Sequence, residues 1–488
     1  MNKKPAISPV PDVRLPDVDS PRRRGVGVLL LLAALASATS CVIAFGLGWL
    51  DGGINFLPQQ MSTEIRITGE PRAIIVTPID TPTSAPTSAP TSAPAPTKAA
   101  RATKVPPVIT QRQLRVLQTF TKLVRERYIY TDFNGVNWEQ VSRDAEKFVR
   151  SGTSDDDFYA YLSDRIDDLG DNHSVYLSPT DAKDEDSEYA GDFQYAGVGV
   201  VTFPLTETAE LVVLQVFADS PAEIAGVRAH DRIVTIDGQP ALDANGFSNA
   251  VLFRGEAGTT VRTVVRAPDG KERTVEMVRA QVDARERVEH RIIEKGGARV
   301  GYISIPTLFE DDIDARVREA LQAVQKNGAL NGLVLDLRIN GGGALEVLQP
   351  TLGFFTRGSI GNLIDRTAGS ETINVRAENV GSSQKLPLVV LIGPATESYA
   401  EVFAAALQDK GRAVLIGQRT AGNIETLHSH EFEDGSRLWL AEESFRLPSG
   451  KSWEGIGLEP DMTIDAQWHE YSAETDPVLD AAIQTFAH

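Results

Sequence analysis

Residues 387–392, Pro-Leu-Val-Val-Leu-Ile, form an unbroken apolar run with a β-branched centre, halted by Gly393 and Pro394. A run of that length bounded by turn residues reads as a buried strand. A helical pattern with Val402, Phe403, Ala406 and Leu407 on one face then begins at about Ser398. Strand, tight turn and amphipathic helix in direct succession commit this stretch to layered α/β packing. A serine at such a turn has its hydroxyl exposed, and the free N–H groups of the following helix can hold a developing oxyanion. The competing reading of Ser398 is an ordinary helix N-cap.

A second buried-strand run lies upstream at residues 333–338, Leu-Val-Leu-Asp-Leu-Arg, and ends in Ile339, Asn340, Gly341, Gly342 and Gly343. Successive glycines after a strand let the backbone approach a ligand and turn N–H groups towards it; alone they also fit a simple turn. In order, the chain then carries L-D-L-R-x-N-x-G-G, strand-G-P-x-T-E-S-x-x-E, G-R-A-V-L-I-G-Q-R-T-A-G-N and P-S-G-K-S-W-E-G-I-G-L-E-P-D. This order resembles the C-terminal processing peptidases, or tail-specific proteases, which are serine peptidases with an embedded PDZ domain. The resemblance runs from about residue 111 to 467. It implies a multidomain α/β protein whose peptidase core is a spiral of the crotonase and ClpP kind.

The 488 residues suffice for two or three domains, and a net charge of −19 with no basic block excludes a nucleic-acid backbone as partner. Cys41 is the single cysteine, so the chain has neither an internal disulfide nor a cysteine-based zinc site. Residues 25–50 carry no charge, follow Arg22, Arg23 and Arg24, and precede Asp51. That length and those flanks predict a transmembrane helix with a cytoplasmic N-terminus and the bulk of the chain outside. A cleaved signal peptide is the competing reading, although its apolar region is normally shorter. The Pro-Thr-Ser-Ala repeats of residues 82–94 build no core and act as a semi-rigid spacer.

Leu114, Leu117, Phe120, Leu123 and Val124 recur at helical spacing, as do Trp138, Val141, Ala145 and Phe148. Residues 128–132, Tyr-Ile-Tyr-Thr-Asp, and 135–138, Gly-Val-Asn-Trp, are similar to the family's N-terminal helical cap. Residues 171–179, Asp-Asn-His-Ser-Val-Tyr-Leu-Ser-Pro, match the family's D-x-H-[ST]-x-Y-L-S-P and single out His173. Residues 189–282 resemble a PDZ domain. Gly197, Val198, Gly199 and Val200 fit the loop and strand that receive a peptide's C-terminal carboxylate, and a helix over residues 245–253 is predicted to wall the groove. A small β-domain without peptide binding is the alternative. Residues 300–305 and a helix over 315–324 open the peptidase core, and two late strands are predicted at 438–440 and 444–447.

One departure from the family pattern matters for chemistry. Where most relatives place a lysine that accepts the serine proton, this chain has Asn423, and a neutral amide is no general base. The glutamine often found four residues later is Leu427. Two explanations follow. The chain resembles the tricorn-like branch, with His173 as base for Ser398 and Glu454 orienting it; Glu425, His428 and His430 are further candidates. Alternatively, it is a membrane-tethered pseudopeptidase that binds peptide tails without cutting them. The oxyanion hole is expected from the N–H of Tyr399 and an N–H of Gly342 or Gly343.

The resulting layout is a cytoplasmic tail (1–24), transmembrane helix (25–50), linker (51–109), helical cap (110–185), PDZ domain (186–282), peptidase core (283–470) and C-terminal segment (471–488). The expected function is extracytoplasmic cleavage of proteins recognised by their free C-terminal tails, with no metal and no cofactor.

Overall fold

The computed structural model describes residues 107–487 apart from 172, 190–192, 244–245 and 327. The expected membrane span over residues 25–50 lies outside the described residues. Among these, no helix is long and apolar enough to cross a membrane.

The N-terminal part contains helices α1 (Pro107–Arg127), α2 (Trp138–Arg150) and α3 (Asp155–Asp167), strand β1 (Val175–Leu177) and helix α4 (Pro179–Tyr189). Val116, Leu117, Phe120 and Val124 of α1 bury against Trp138, Ala145 and Val149 of α2 and Phe158, Leu162 and Ile166 of α3. Helix α3 was hidden in an acidic stretch. Its N-cap Ser154 accepts from the Asp157 N–H, and Asp155, Asp156 and Asp157 fill its first turn, where the helix dipole favours negative charge.

The next segment pairs β2 (Gln194–Gly197) with a later strand and builds a sheet from β3 (Val200–Leu205), β4 (Glu210–Val216), β5 (Arg232–Ile236), β6 (Gln239–Pro240), β7 (Thr260–Arg266) and β8 (Glu272–Val278). A short helix α5 (Pro221–Ile224) separates β4 from β5, and β9 (Ala280–Asp283) is the partner of β2. Among the described residues strand β3 pairs only with β4, which leaves its other edge open. The helix predicted over residues 245–253 is not formed over its described part, 246–253; a single 3-10 turn covers Ala250–Phe253. Gly246 sits at φ +85°, the Phe247 N–H bonds Asp243 Oδ1, and Leu242 bridges to Ser248. That tight turn uses the backbone groups a helix would need.

The remaining chain contains β10 (His290–Lys295), β11 (Ala298–Ser304), α6 (Ile313–Gln325), β12 (Gly332–Asp336), α7 (Leu345–Gly353), β13 (Gly358–Asp365), β14 (Ser370–Val375), β15 (Leu388–Ile392), α8 (Tyr399–Asp409), β16 (Val414–Gly417), β17 (Glu425–Glu431), β18 (Arg437–Arg446), β19 (Met462–Thr463) and α9 (Pro477–Gln484). The main sheet runs β10-β11-β12-β15-β16-β19, parallel from β11 onward. Its strands bury both faces. Leu333, Leu335, Leu388, Val390 and Ile392 join the cluster under α6, α7 and α8. Val334, Val389 and Leu391, one residue out of phase, meet Val478, Leu479, Ala482 and Ile483 of α9. Burial on both faces explains why these strands read as continuous apolar runs.

A second sheet, β1-β18-β13-β14 with β17 on β18, joins the N-terminal helices to the core. Strand β18 is one ten-residue strand rather than the two predicted. A bulge falls where Thr426 and Leu427 face Glu443 and Ala441, between the two predicted segments, and interrupts the regular side-chain alternation there.

Buried Arg338 ties the end of β12 to the C-terminal helix. Its Nη2 donates to Asp336 Oδ2 (2.6 Å) and Asp476 Oδ2 (2.7 Å), and Nη1 donates to the Tyr471 hydroxyl. Asp476 is also the N-cap of α9. Asp476→Ala therefore removes one of the two carboxylates that pair with the buried Arg338 guanidinium and uncaps α9. The expected loss is about 2–3 kcal/mol, read as a lower denaturation midpoint in urea.

Candidate active site

The turn after β15 is held by Thr396, whose Oγ1 accepts from the Gly393 N–H (3.0 Å) and donates to Leu337 O (2.8 Å). Ser398 follows at the head of α8 with φ +55° and ψ −129°. An ordinary N-cap has extended backbone. This left-handed geometry is costly for a residue with a Cβ and persists only where the surroundings enforce it. The enforcing group is Glu401. Its buried carboxylate accepts N–H bonds from Ser398 (3.1 Å), Gly422 (2.9 Å) and Asn423 (3.0 Å), and the Thr420 hydroxyl also donates to it.

The glycine loop lies directly against the serine. A Cβ on Gly342, at φ +102°, would stand 2.7 Å from Ser398 Cβ and 3.1 Å from Oγ. One on Gly343, at φ +150°, would collide with the Leu308 carbonyl. Gly342 donates its N–H to Asn340 Oδ1 (2.8 Å), so it is not the free member of the pair. The N–H groups of Gly343 and Tyr399 have no partner among the described residues.

His173 is fixed by its neighbours. Asp171 accepts from the N–H groups of His173 (2.9 Å) and Ser174 (2.8 Å) and from the Ser174 hydroxyl, while Ser174 Oγ accepts from the Ala441 N–H of β18. The imidazole is buried, and its Nδ1 lies 2.7 Å from Glu425 Oε2. Nδ1–H donating to that carboxylate leaves Nε2 as the acceptor nitrogen. Nε2 is buried without a hydrogen-bond partner among the described residues, so its bond to Ser398 is not made in this state. Catalytic bonds of this kind commonly tighten only once substrate is bound. Tyr399, next to the serine, links to Thr426, next to Glu425, through their hydroxyls (3.1 Å).

The predicted orienting role of Glu454 is corrected by this geometry. Glu425 holds His173, whereas Glu454 Oε2 accepts the Ile424 N–H (2.7 Å) and the side chain bonds to Glu425. Sequence spacing could not separate the two acids; β17 pairing with β18 brings Glu425 under His173. His428 and His430 pair with Glu443 and Glu442 across the same strands and take no part in the site. Asn423 does occupy the heart of the site, where its Nδ2 donates to Glu397 Oε1.

The surrounding acids raise the proton affinity of the imidazole. Burial opposes the charge on His173, but the hydrogen bond and charge of Glu425, with the charges of Glu397 and Asp171, outweigh it and raise the pKa above the histidine norm. Glu397 is pushed up to about 7 by burial, against the pull of His173 and Asn423.

In the β-domain, Val198 is buried and its carbonyl accepts from the Ala222 N–H (2.8 Å). Gly199, at φ +84°, leaves no room for a side chain because a Cβ would sit 2.3 Å from Ser220 Cβ. Gly197 ends β2 and Val200 starts β3, so the four residues form the bend at one end of the open β3 edge.

Comparison with known proteins agrees with this architecture. The model of peptidase family S41 matches residues 299–464, and that of the PDZ domain matches residues 185–278. The chain is 28% identical over 380 residues to the carboxyl-terminal-processing protease of Picosynechococcus sp., covering 77% of this chain and 89% of that one. It is also 28% identical over 376 residues to the chloroplastic C-terminal processing peptidase of Tetradesmus obliquus, covering 74% and 78%. Among solved structures, the photosystem II D1 C-terminal processing protease superposes with a TM-score of 0.56 at 26% identity, covering 72% and 93%.

Two substitutions test the site. Gly342→Ala should push a methyl group into Ser398 and lower turnover by roughly 10²-fold or more, since small misplacements of reacting groups are that costly; peptide affinity for the β-domain, measured by fluorescence anisotropy, should stay unchanged. Asn423→Lys should bring an ammonium to Glu397 beside His173, lower the proton affinity of the imidazole, and fail to raise kcat/KM.

Proposed function

We propose that the chain is a serine peptidase of family S41 carrying a PDZ domain, and that it cleaves proteins recognised by their free C-terminal tails, using Ser398, His173 and Glu425. The observation that carries this reading is the buried Nδ1 contact of His173 with Glu425 at 2.7 Å, in a site where the lysine position is Asn423. Ser398 Oγ attacks the scissile carbonyl while His173 Nε2 takes its proton; the imidazolium, stabilised by Glu425, then protonates the leaving amine. A water attacks the acyl-enzyme with the same base. The tetrahedral oxyanion is received by the N–H groups of Gly343 and Tyr399, whose donors are otherwise unused.

The open β3 edge supports tail recognition, because an extended peptide can add to it as a strand with its carboxylate at the bend of Gly197, Val198, Gly199 and Val200. The uncharged residues 25–50, the preceding arginines and the proline-rich spacer support a single-pass anchor that places the peptidase outside the cytoplasm.

The test uses full-length protein in detergent, a fluorophosphonate label, and unfolded substrates with free or amidated C-termini. Ser398 is the expected labelled residue, and His173→Ala should depress turnover about as far as Ser398→Ala. Because only the neutral imidazole accepts a proton, kcat/KM should rise with pH through a limb above ~6.5, the ordinary histidine value. Amidation should raise KM. A full rate for His173→Ala would overturn the base, and indifference to amidation would overturn tail recognition.

A further inference from the structure

The triad leaves one buried acid unexplained. Glu425 is contacted by three groups: the Tyr130 hydroxyl donates to Oε1 (2.6 Å), His173 Nδ1 meets Oε2 (2.7 Å), and the Glu454 side chain bonds to the same carboxylate. Among the described residues, its one ion pair is with His173. Two carboxyls in contact in such a site cannot both be ionised. Glu454 Oε2 already accepts the Ile424 N–H, so a proton on its other oxygen satisfies both ends of that side chain.

We propose that Glu425 and Glu454 are a positioning pair sharing one proton, held on Glu454, and that this pair with Tyr130 sets the orientation and basicity of His173. The proposal rests on the reading of His173 as the general base. The balance of charges agrees with it. Burial and the Glu425 charge push Glu454 well up from the usual carboxyl range, while Glu425, despite burial, is held below it by His173 and by its donors Glu454 and Tyr130.

The pair gives His173 one negative charge rather than two. Two full charges against Nδ1, added to those of Asp171 and Glu397, would hold the imidazole more firmly in its protonated form. A single charge tempered by two donors orients the ring and still lets it work as a base. Tyr128, which faces Asp171 and Glu425, stays a neutral phenol because burial raises its pKa. Tyr130 follows α1, so the N-terminal helical part reaches the catalytic base through one hydroxyl.

Substitution separates this arrangement from a merely structural one. Glu454→Gln keeps an acceptor for Ile424, a donor for Glu425 and the single charge; Glu425→Gln removes the charge itself. In full-length protein, the His173 titration is followed by imidazole 15N NMR, assigned against the His173→Ala spectrum, alongside kcat and KM. Glu454→Gln should leave the His173 midpoint in place and lower kcat by less than about tenfold. Glu425→Gln should lower the midpoint and reduce kcat by roughly 10³-fold at unchanged KM. Tyr130→Phe, a milder change that serves if Glu425→Gln does not fold, should raise the midpoint, since it removes a donor from the carboxylate. A midpoint that falls as far in Glu454→Gln as in Glu425→Gln, or stays fixed in Tyr130→Phe, would overturn the pair. The titration needs no turnover, so a protein that failed to cleave would defeat the proposed function while the pair remained measurable.

Discussion

One buried carboxylate, that of Glu401, governs the geometry around which this molecule works. It gathers the Ser398 N–H, two N–H groups of the loop after β16 and the Thr420 hydroxyl. A desolvated carboxylate is tolerable only when its oxygens are satisfied in this way. In return, it fixes the left-handed backbone at Ser398, which a free chain would relax. The same loop delivers Asn423 to Glu397 and leads into β17, which carries Glu425. The backbone of Ser398 and the loop that carries Asn423 are therefore tied to a single side chain.

The parts legible in sequence were those whose cause is local or periodic. The strands at 333–338 and 387–392 announced themselves because both faces are buried, by α6, α7 and α8 on one side and α9 on the other. Ser398 and Gly342 were visible as turn residues between such elements, and Asn423 as a departure from a motif. What stayed hidden depended on register. Glu425 and Glu454 are equally plausible acids along the chain, and only the pairing of β17 with β18 decides which one meets His173. The bulge beside Thr426 that sets this register also disguised β18 as two strands. The helix expected at 245–253 from the PDZ resemblance is displaced for the opposite reason: an Asp243 turn and Gly246 compete locally for the backbone groups a helix needs.

The β-domain is not a loose appendage. Trp468 donates from its indole to Val213 O on β4, and its own carbonyl lies 2.7 Å from His230 Nδ1. The rings of Trp468 and His230 stack at 4.2 Å, and the Arg338 guanidinium lies 5.0 Å from the Trp468 ring. Arg338 in turn pairs with Asp336, at the end of β12 and a few residues before Asn340. Packing at the β-domain thus continues into the strand that presents the glycine loop.

The bond from the Ala441 N–H to Ser174 Oγ has a consequence for the order of synthesis. The segment bearing His173 leaves the ribosome early, but its anchors, Glu425 and Ala441, follow more than 250 residues later. Arg338 then waits for Asp476, close to the last helix. A nascent chain that has already emerged through Ser398 still lacks an oriented histidine. The surroundings of His173 and of Arg338 are thus complete only when nearly the whole chain is present.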